Sequence, residues 1–345
     1  MNHPVLTIVV PCYNEEEILP ATMSQLSSSL RELEKEGLVS SKSKILFVDD
    51  GSKDQTWEMI YRKSLEDELI RGVKLAKNVG HQKALLAGLM AAKTVSDCVI
   101  SIDADLQDDI SVIREFILKF REGNEIVYGV RRKRDTDTFF KRSTAQGFYK
   151  LMKWMGVDLV YNHADFRLMS KRALHELQRY EEVNLFLRGI VPILGLKSDS
   201  VYYDRKERSA GETKYPLKKM IAFSFEGVTS FSVTPIRLVL LIGFLFFFIS
   251  LLFGIYFISL KLSGKTETGW TSLITSIWLI GGLQLISIGL VGEYIGKVYS
   301  ETKRRPKYII DIDTFNLPIP RSLINDGGSE HELFERNYGK LSETN

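Results

Sequence analysis

Up to about residue 235, apolar residues fall into runs of strand length separated by stretches of helical spacing; two long uncharged runs follow. VLTIVV (5–10), KILFVDD (44–50), GVKLAK (72–77), DCVISI (97–102) and EIVYGV (125–130) read as buried strands. Helical patterning covers 16–36, 55–69, 81–93 and 108–122 between them. Strands alternating with helices of this length predict βαβ units in an open, mainly parallel α/β sheet flanked by helices. Ligands of such sheets bind beyond the carboxyl ends of the strands. Three polar motifs, PCYNEEE (11–17), DDGSKD (49–54) and DADLQD (103–108), each begin where a strand stops, so one cleft is expected to collect them.

The later pattern is that of a membrane protein. LVLLIGFLFFFISLLFGIYFISL (238–260) and WTSLITSIWLIGGLQLISIGLVG (270–292) carry no charge, and each reaches the ~20 apolar residues that a span needs. Lys218, Lys219 and Arg237 precede the first run, and Lys297, Lys303, Arg304, Arg305 and Lys307 follow the second. The connection between them holds only Lys261 and Lys265, so the positive-inside rule puts both flanks in the cytoplasm. The expected organisation is a cytosolic α/β domain that carries the three polar motifs (1–214), an interfacial amphipathic helix (215–234), a first transmembrane helix (235–261) and an extracytoplasmic loop (262–269). A second transmembrane helix (270–296) and a cytoplasmic tail (297–345) complete it. In 215–233, Lys218 and Lys219 mix with Met220, Ile221, Phe223 and Phe225, which suits an interfacial helix or an ordinary packed one. The tail from about 311 is polar, with little to order it beyond its first few residues.

Composition narrows the choice. A net charge of +3 over 345 residues is too small to indicate nucleic acid by itself. The two cysteines, Cys12 and Cys98, lie far apart beside apolar runs; they form neither a disulfide framework nor a zinc pattern and read as buried, reduced thiols. VLTIVV is too short, and too soon followed by PCYNEEE, to be a signal peptide.

DADLQD carries the chemistry. It is either a solvated acidic face or a cation site. If the chain stays extended, Asp103 and Asp105 point to one side of it. Two such carboxylates repel each other unless a cation lies between them, and oxygen ligands suit Mg2+ or Mn2+ bridging to substrate phosphates. Asp108 is better placed to cap the following helix. There is no Walker A loop, and no GxGxxG follows a strand, so NTPase and dinucleotide readings lose their motifs.

VPCYNEEE, VDDGSKD, NVGHQKALLAG and DADLQD, in this order and spacing, resemble glycosyltransferase family 2 with its GT-A fold. DFRLM (165–169), RSAGETKY (208–215), TSFSVTPIRL (229–238) and GLQLIS (282–287), with two C-terminal spans, narrow the resemblance to bacterial polyprenyl-phosphate glycosyltransferases, relatives of dolichol-phosphate mannose synthase. It covers residues 5 to about 310. The resemblance implies that Pro11, Tyr13 and Glu15 wall the nucleoside, and that Asp50 reads the base. Core packing for Tyr13, and a first-turn helix charge for Glu15, are the alternatives. Asp103, Asp105 and Gln107 would surround the metal, and His81 would lie near the nucleotide or serve structure alone. Arg131, Arg142 and Ser143 would hold the acceptor phosphate, unless Arg131 belongs to a solvated basic loop, RRKR (131–134). Arg208 and Lys214, beside Gly211, would fold over the donor diphosphate. Asp165 would act as a base, orient sugar hydroxyls, or form a salt bridge that positions an arginine.

The implied reaction is inverting transfer of a sugar, glucose or N-acetylglucosamine, from a UDP-sugar to undecaprenyl phosphate. It would supply a lipid-linked sugar for cell-envelope glycan modification, and the family suggests a homotetramer. A processive polysaccharide synthase would share the first half but carry QxxRW, which this chain lacks. A membrane-tethered nucleotide-sugar sensor without activity is the non-enzymatic alternative.

Overall fold

The computed structural model describes residues 3–132, 163–182, 186–204, 234–262 and 269–316. Strands β1 (Leu6–Cys12), β2 (Lys44–Asp49), β3 (Ile70–Leu75), β4 (Cys98–Ser101) and β5 (Ile126–Arg131) fall on the five apolar runs. Helices α1 (Leu19–Lys35), α2 (Thr56–Glu66), α3 (His81–Ala92) and α4 (Ile113–Arg121) fall between them as expected. Beyond these come β6 (His163–Ser170), α5 (Lys171–Gln178), α6 (Leu187–Ile193), β7 (Ser198–Tyr203), the long helices α7 (Thr234–Leu262) and α8 (Trp270–Thr302), and β8 (Ile310–Asp313).

The eight strands of the described residues form one sheet in the order β7-β5-β6-β4-β1-β2-β3-β8. The centre, β4-β1-β2-β3, is parallel. The sheet is mainly parallel, as expected, with two strands reversed: β6 runs antiparallel to both β4 and β5, and β8 antiparallel to β3. Antiparallel neighbours need no crossover helix, so strand–helix alternation in the sequence does not announce them.

Every residue of β1 is buried, as a central strand covered on both faces requires. Leu19, Met23, Leu26, Leu30 and Leu33 form one stripe of α1 and share a core with Leu6, Ile8 and Val10 of β1 and with Phe116 of α4. The opposite face carries α3. A Cβ on Gly88 would lie 2.4 Å from Val9 Cγ1 and 2.7 Å from Val48 Cγ2, so only glycine lets α3 pack this closely. Among the first residues of the tail, Thr314 is buried; its hydroxyl accepts the Gly72 N–H at 2.8 Å and donates to the Gly72 carbonyl at 3.0 Å. The C-terminal segment thus closes one sheet edge.

The two long helices belong to a second compact unit. They bear large exposed apolar side chains, among them Leu241, Leu252, Leu285 and Ile286. Among the described residues, one helical stretch, Leu279–Thr302, is long and apolar enough by length and composition to cross a membrane, with a mean hydropathy of 1.5. The interfacial helix 215–234 falls, up to 233, outside the described residues, as does most of the loop 262–269.

Candidate active site

Because β4, β1 and β2 are parallel neighbours, their carboxyl ends share one edge, and the three polar motifs meet there. The loop after β1 and the loop after β2 are stitched together. Asn14, at φ 53°, accepts the Lys53 N–H at 2.9 Å, and Glu16 accepts the Gln55 N–H at 2.9 Å. In return, the Ser52 hydroxyl accepts the Asn14 N–H, and Thr56 Oγ1 accepts the Glu15 N–H, both at 2.9 Å. Pro11 is buried, whereas Tyr13 is 42% exposed, which overturns core packing as the reason for its ring. Glu15 lies outside the first turn of α1, which starts at Leu19 and holds no acid, so helix-dipole stabilisation does not explain it.

Asp50 is buried and anchors the loop after β3. Its two oxygens accept the Val79 N–H at 2.7 Å and the Gly80 N–H at 2.9 Å. Burial raises its carboxyl above the usual range, and these two amides oppose the rise. Gly51 (φ 67°) permits the approach: a Cβ there would lie 2.7 Å from the Asn78 nitrogen.

DADLQD is not extended. β4 stops at Ser101, and Asp103–Leu106 form a turn closed by the Leu106 N–H donating to the Asp103 carbonyl at 3.3 Å. The expectation that Asp103 and Asp105 share a side through strand alternation therefore fails. Leu106 sits at φ 43°, a region that costs a non-glycine residue about 1–3 kcal/mol and recurs at functional sites. Asp103 is about one-third exposed and Asp105 is exposed, whereas Gln107 is buried. Burial, together with Asp165, Asp108 and Asp105, raises the Asp103 carboxyl, against the pull of His81. Among the described residues, no group of three or more His, Cys, Asp or Glu side chains is gathered to hold a metal. The donor set instead fits a hard cation held by one or two carboxylates and completed by substrate oxygens, the usual Mg2+ arrangement.

Asp108 caps nothing; the cap of the following helical turn is Asp109, which accepts the Ser111 N–H at 3.2 Å. Asp108, 2% exposed, accepts Arg131 Nε at 3.1 Å, Arg131 Nη2 at 2.9 Å and the Tyr203 hydroxyl at 2.7 Å on one oxygen. Arg131 is thus no member of a merely solvated loop. It continues from β5 into a buried ion pair.

Asp165, on β6, is buried between two arginines. Its Oδ1 accepts Arg167 Nη2 at 2.6 Å, and Arg188 Nη2 donates to Oδ2 at 2.9 Å. Burial raises the Asp165 carboxyl, but Arg188 and Arg167 outweigh it and hold the group well below the usual carboxylate range. His81, the first residue of α3, places Nε2 3.5 Å from Asp103 and 3.8 Å from Asp165, so it stands between two of the expected acids. Arg188 and Gln82 are site residues that the motifs did not single out. Arg188 sits in FLRG, which carries no pattern of its own, and Gln82 adjoins His81 in NVGHQK. Arg142, Ser143, Arg208 and Lys214 lie outside the described residues. Cys12 and Cys98 are buried and free, as expected.

Residues 7–178 match the family described as Glycosyl transferase family 2, and residues 234–298 match the GtrB C-terminal hairpin. The uncharacterized glycosyltransferase YkoT of Bacillus subtilis (strain 168) is 65% identical over 98% of this chain and 99% of its own length. The bactoprenol glucosyl transferase of Shigella phage SfX is 40% identical over 88% of this chain and 98% of its own length. Among solved structures, glucosyl-3-phosphoglycerate synthase from Mycobacterium tuberculosis, in complex with Mn2+, UDP and phosphoglyceric acid, is 19% identical with a TM-score of 0.43, over 66% of this chain and 76% of that one.

Proposed function

This chain belongs to glycosyltransferase family 2 and is a glycosyltransferase, and on that premise we propose that it transfers glucose from UDP-glucose to a polyprenyl phosphate, undecaprenyl phosphate in a bacterial membrane. The observation that carries this reading is the meeting of Tyr13, Asp50, Asp103 and Asp165 around one sheet edge, in a chain similar over nearly its whole length to a bactoprenol glucosyl transferase.

In this reading, Pro11, Tyr13 and Glu15 line the nucleoside, and Asp50 holds the neighbouring loop while facing the base. Asp103 and Asp105, with Gln107 behind them, would hold Mg2+ or Mn2+, which when bound neutralises donor diphosphate charge. Arg208 and Lys214 add positive charge on the same diphosphate. Arg131, aimed by Asp108, acts with Arg142 and Ser143 on the acceptor phosphate. A phosphate oxygen of the lipid attacks the anomeric carbon as the bond from that carbon to the UDP oxygen breaks, so the configuration inverts. The nucleophile is already ionised and no proton has to be removed; it needs positioning. Asp165, held ionised by two arginines, suits orientation of sugar hydroxyls better than proton abstraction. The two long helices would carry the chain in the membrane where the lipid resides.

Purified full-length protein, supplied with labelled UDP-glucose, undecaprenyl phosphate and Mg2+, should move label into a chloroform-soluble fraction. Label in insoluble polymer would mean a processive synthase, and no transfer from any nucleotide sugar would defeat the reading.

A further inference from the structure

We propose that Gln82 is a positioning residue for transfer: it fixes the start of α6 so that Arg188 closes on Asp165. The proposal rests on the glycosyltransferase reading of this site.

Four consecutive residues leading into α3, Val79 to Gln82, reach Asp50, Asp103, Asp165 and Leu187. The N–H groups of Val79 and Gly80 donate to Asp50 at 2.7 and 2.9 Å. His81 faces Asp103 and Asp165. Gln82 Oε1 accepts the backbone N–H of Leu187 at 2.9 Å, across more than a hundred residues of sequence. Leu187 is the first residue of α6, where an N–H has no partner within its own helix. Arg188 comes next, and its Nε lies 3.2 Å from both oxygens of Asp165.

The Gln82 amide therefore ties the residue beside Arg188 to the segment that Asp50 anchors. Gly80 provides the bend: its φ of 91° is one that side chains rarely adopt, and the space around its Cα is open. Movement of 79–82 when a donor engages the edge would be passed through Gln82 to Arg188. That movement would change how firmly Asp165 is held at the reaction centre. Arg167, fully buried, would keep its own grip on Asp165 without Gln82.

The test compares Gln82→Leu, which deletes the acceptor, with Gln82→Glu, which keeps an oxygen for the Leu187 N–H. In the full-length protein with UDP-glucose and undecaprenyl phosphate, Gln82→Leu should lower kcat about 3- to 10-fold, the loss expected of one hydrogen bond. The KM for UDP-glucose and the melting temperature should stay near wild type, and Gln82→Glu should restore kcat. Hydrogen exchange read by mass spectrometry should quicken in peptides containing Leu187 in Gln82→Leu but not in Gln82→Glu. Equal losses in both variants, unchanged kcat in Gln82→Leu, or a kcat loss matched by a fall in melting temperature would overturn the positioning role. Wild-type protein that transfers no sugar would instead remove the glycosyltransferase reading on which the role depends.

Discussion

Arg131→Ala separates a structural role from a phosphate-binding one. Asp108 is 2% exposed and takes both Arg131 contacts and the Tyr203 hydroxyl on the same oxygen. Truncating the arginine leaves a buried carboxylate with one hydroxyl for company. Removing one partner of a buried ion pair costs about 3–5 kcal/mol, against the ~5–15 kcal/mol that holds a typical domain together. At about 2–4 °C per kcal/mol for a domain of this size, the melting temperature should fall by roughly 6–20 °C. The measurement is thermal unfolding of the full chain in detergent, followed by tryptophan fluorescence. The double variant Arg131→Met, Asp108→Leu removes both charges and should recover most of the loss, since two apolar side chains can replace a buried pair. If Arg131→Ala melts within about 1 °C of wild type, the ion pair does not hold this end of the sheet. A selective rise in KM for the lipid phosphate at unchanged stability would then leave Arg131 with the acceptor alone.

Asp105→Asn should remove most turnover while the protein remains folded, and chelation of divalent cations should do the same; full activity in chelator would end the metal assignment. The folded-state pKa of Asp165 is depressed, so its contribution to stability is complete above the ordinary carboxylate value near pH ~4 and is lost only as pH falls through the folded value. The rate should accordingly show no acid limb from this group between about pH 5 and 8. A wild-type acid limb that disappears in Asp165→Asn would restore the general-base role. Reporters fused after residue 345 and inserted near residue 40 should both read cytoplasm, and one within KTETG (265–269) should read outside; any other pattern would put the edge on the wrong side for a cytosolic donor.

The parallel centre of the sheet was legible because its strands are short, mostly apolar runs with a helical stretch between each consecutive pair. β1, with all its residues buried, leaves that pattern no ambiguity. β6 escaped because its buried face includes Asp165 and Arg167. Charged residues at such positions read as surface until the partner is visible, and here each is the other's partner at 2.6 Å. β8 escaped for a different reason. IDID alternates over only four residues, and its register comes from β3 and from the Thr314–Gly72 pair, contacts that span most of the chain.

The acidic motifs were visible in sequence, but like residues in them have unlike work, and only packing sorts them. Asp50 is compensated by two backbone amides, Asp108 by Arg131 and Tyr203, and Asp165 by Arg167 and Arg188. Each of these acids has spent its charge on holding an element in place. Asp103 differs. Among the described residues its ion-pair partner is a single histidine at 3.5 Å, and burial, with three other carboxylates, raises its proton affinity. Deep burial would let such a group neutralise itself by taking up a proton, but about one-third of this side chain remains exposed, beside an exposed Asp105. A divalent cation would relieve the same repulsion without a proton, and would do so where a diphosphate could complete its coordination. The knot of acids therefore divides into anchors and one opening, and the opening lies at the turn where Leu106 holds its strained backbone.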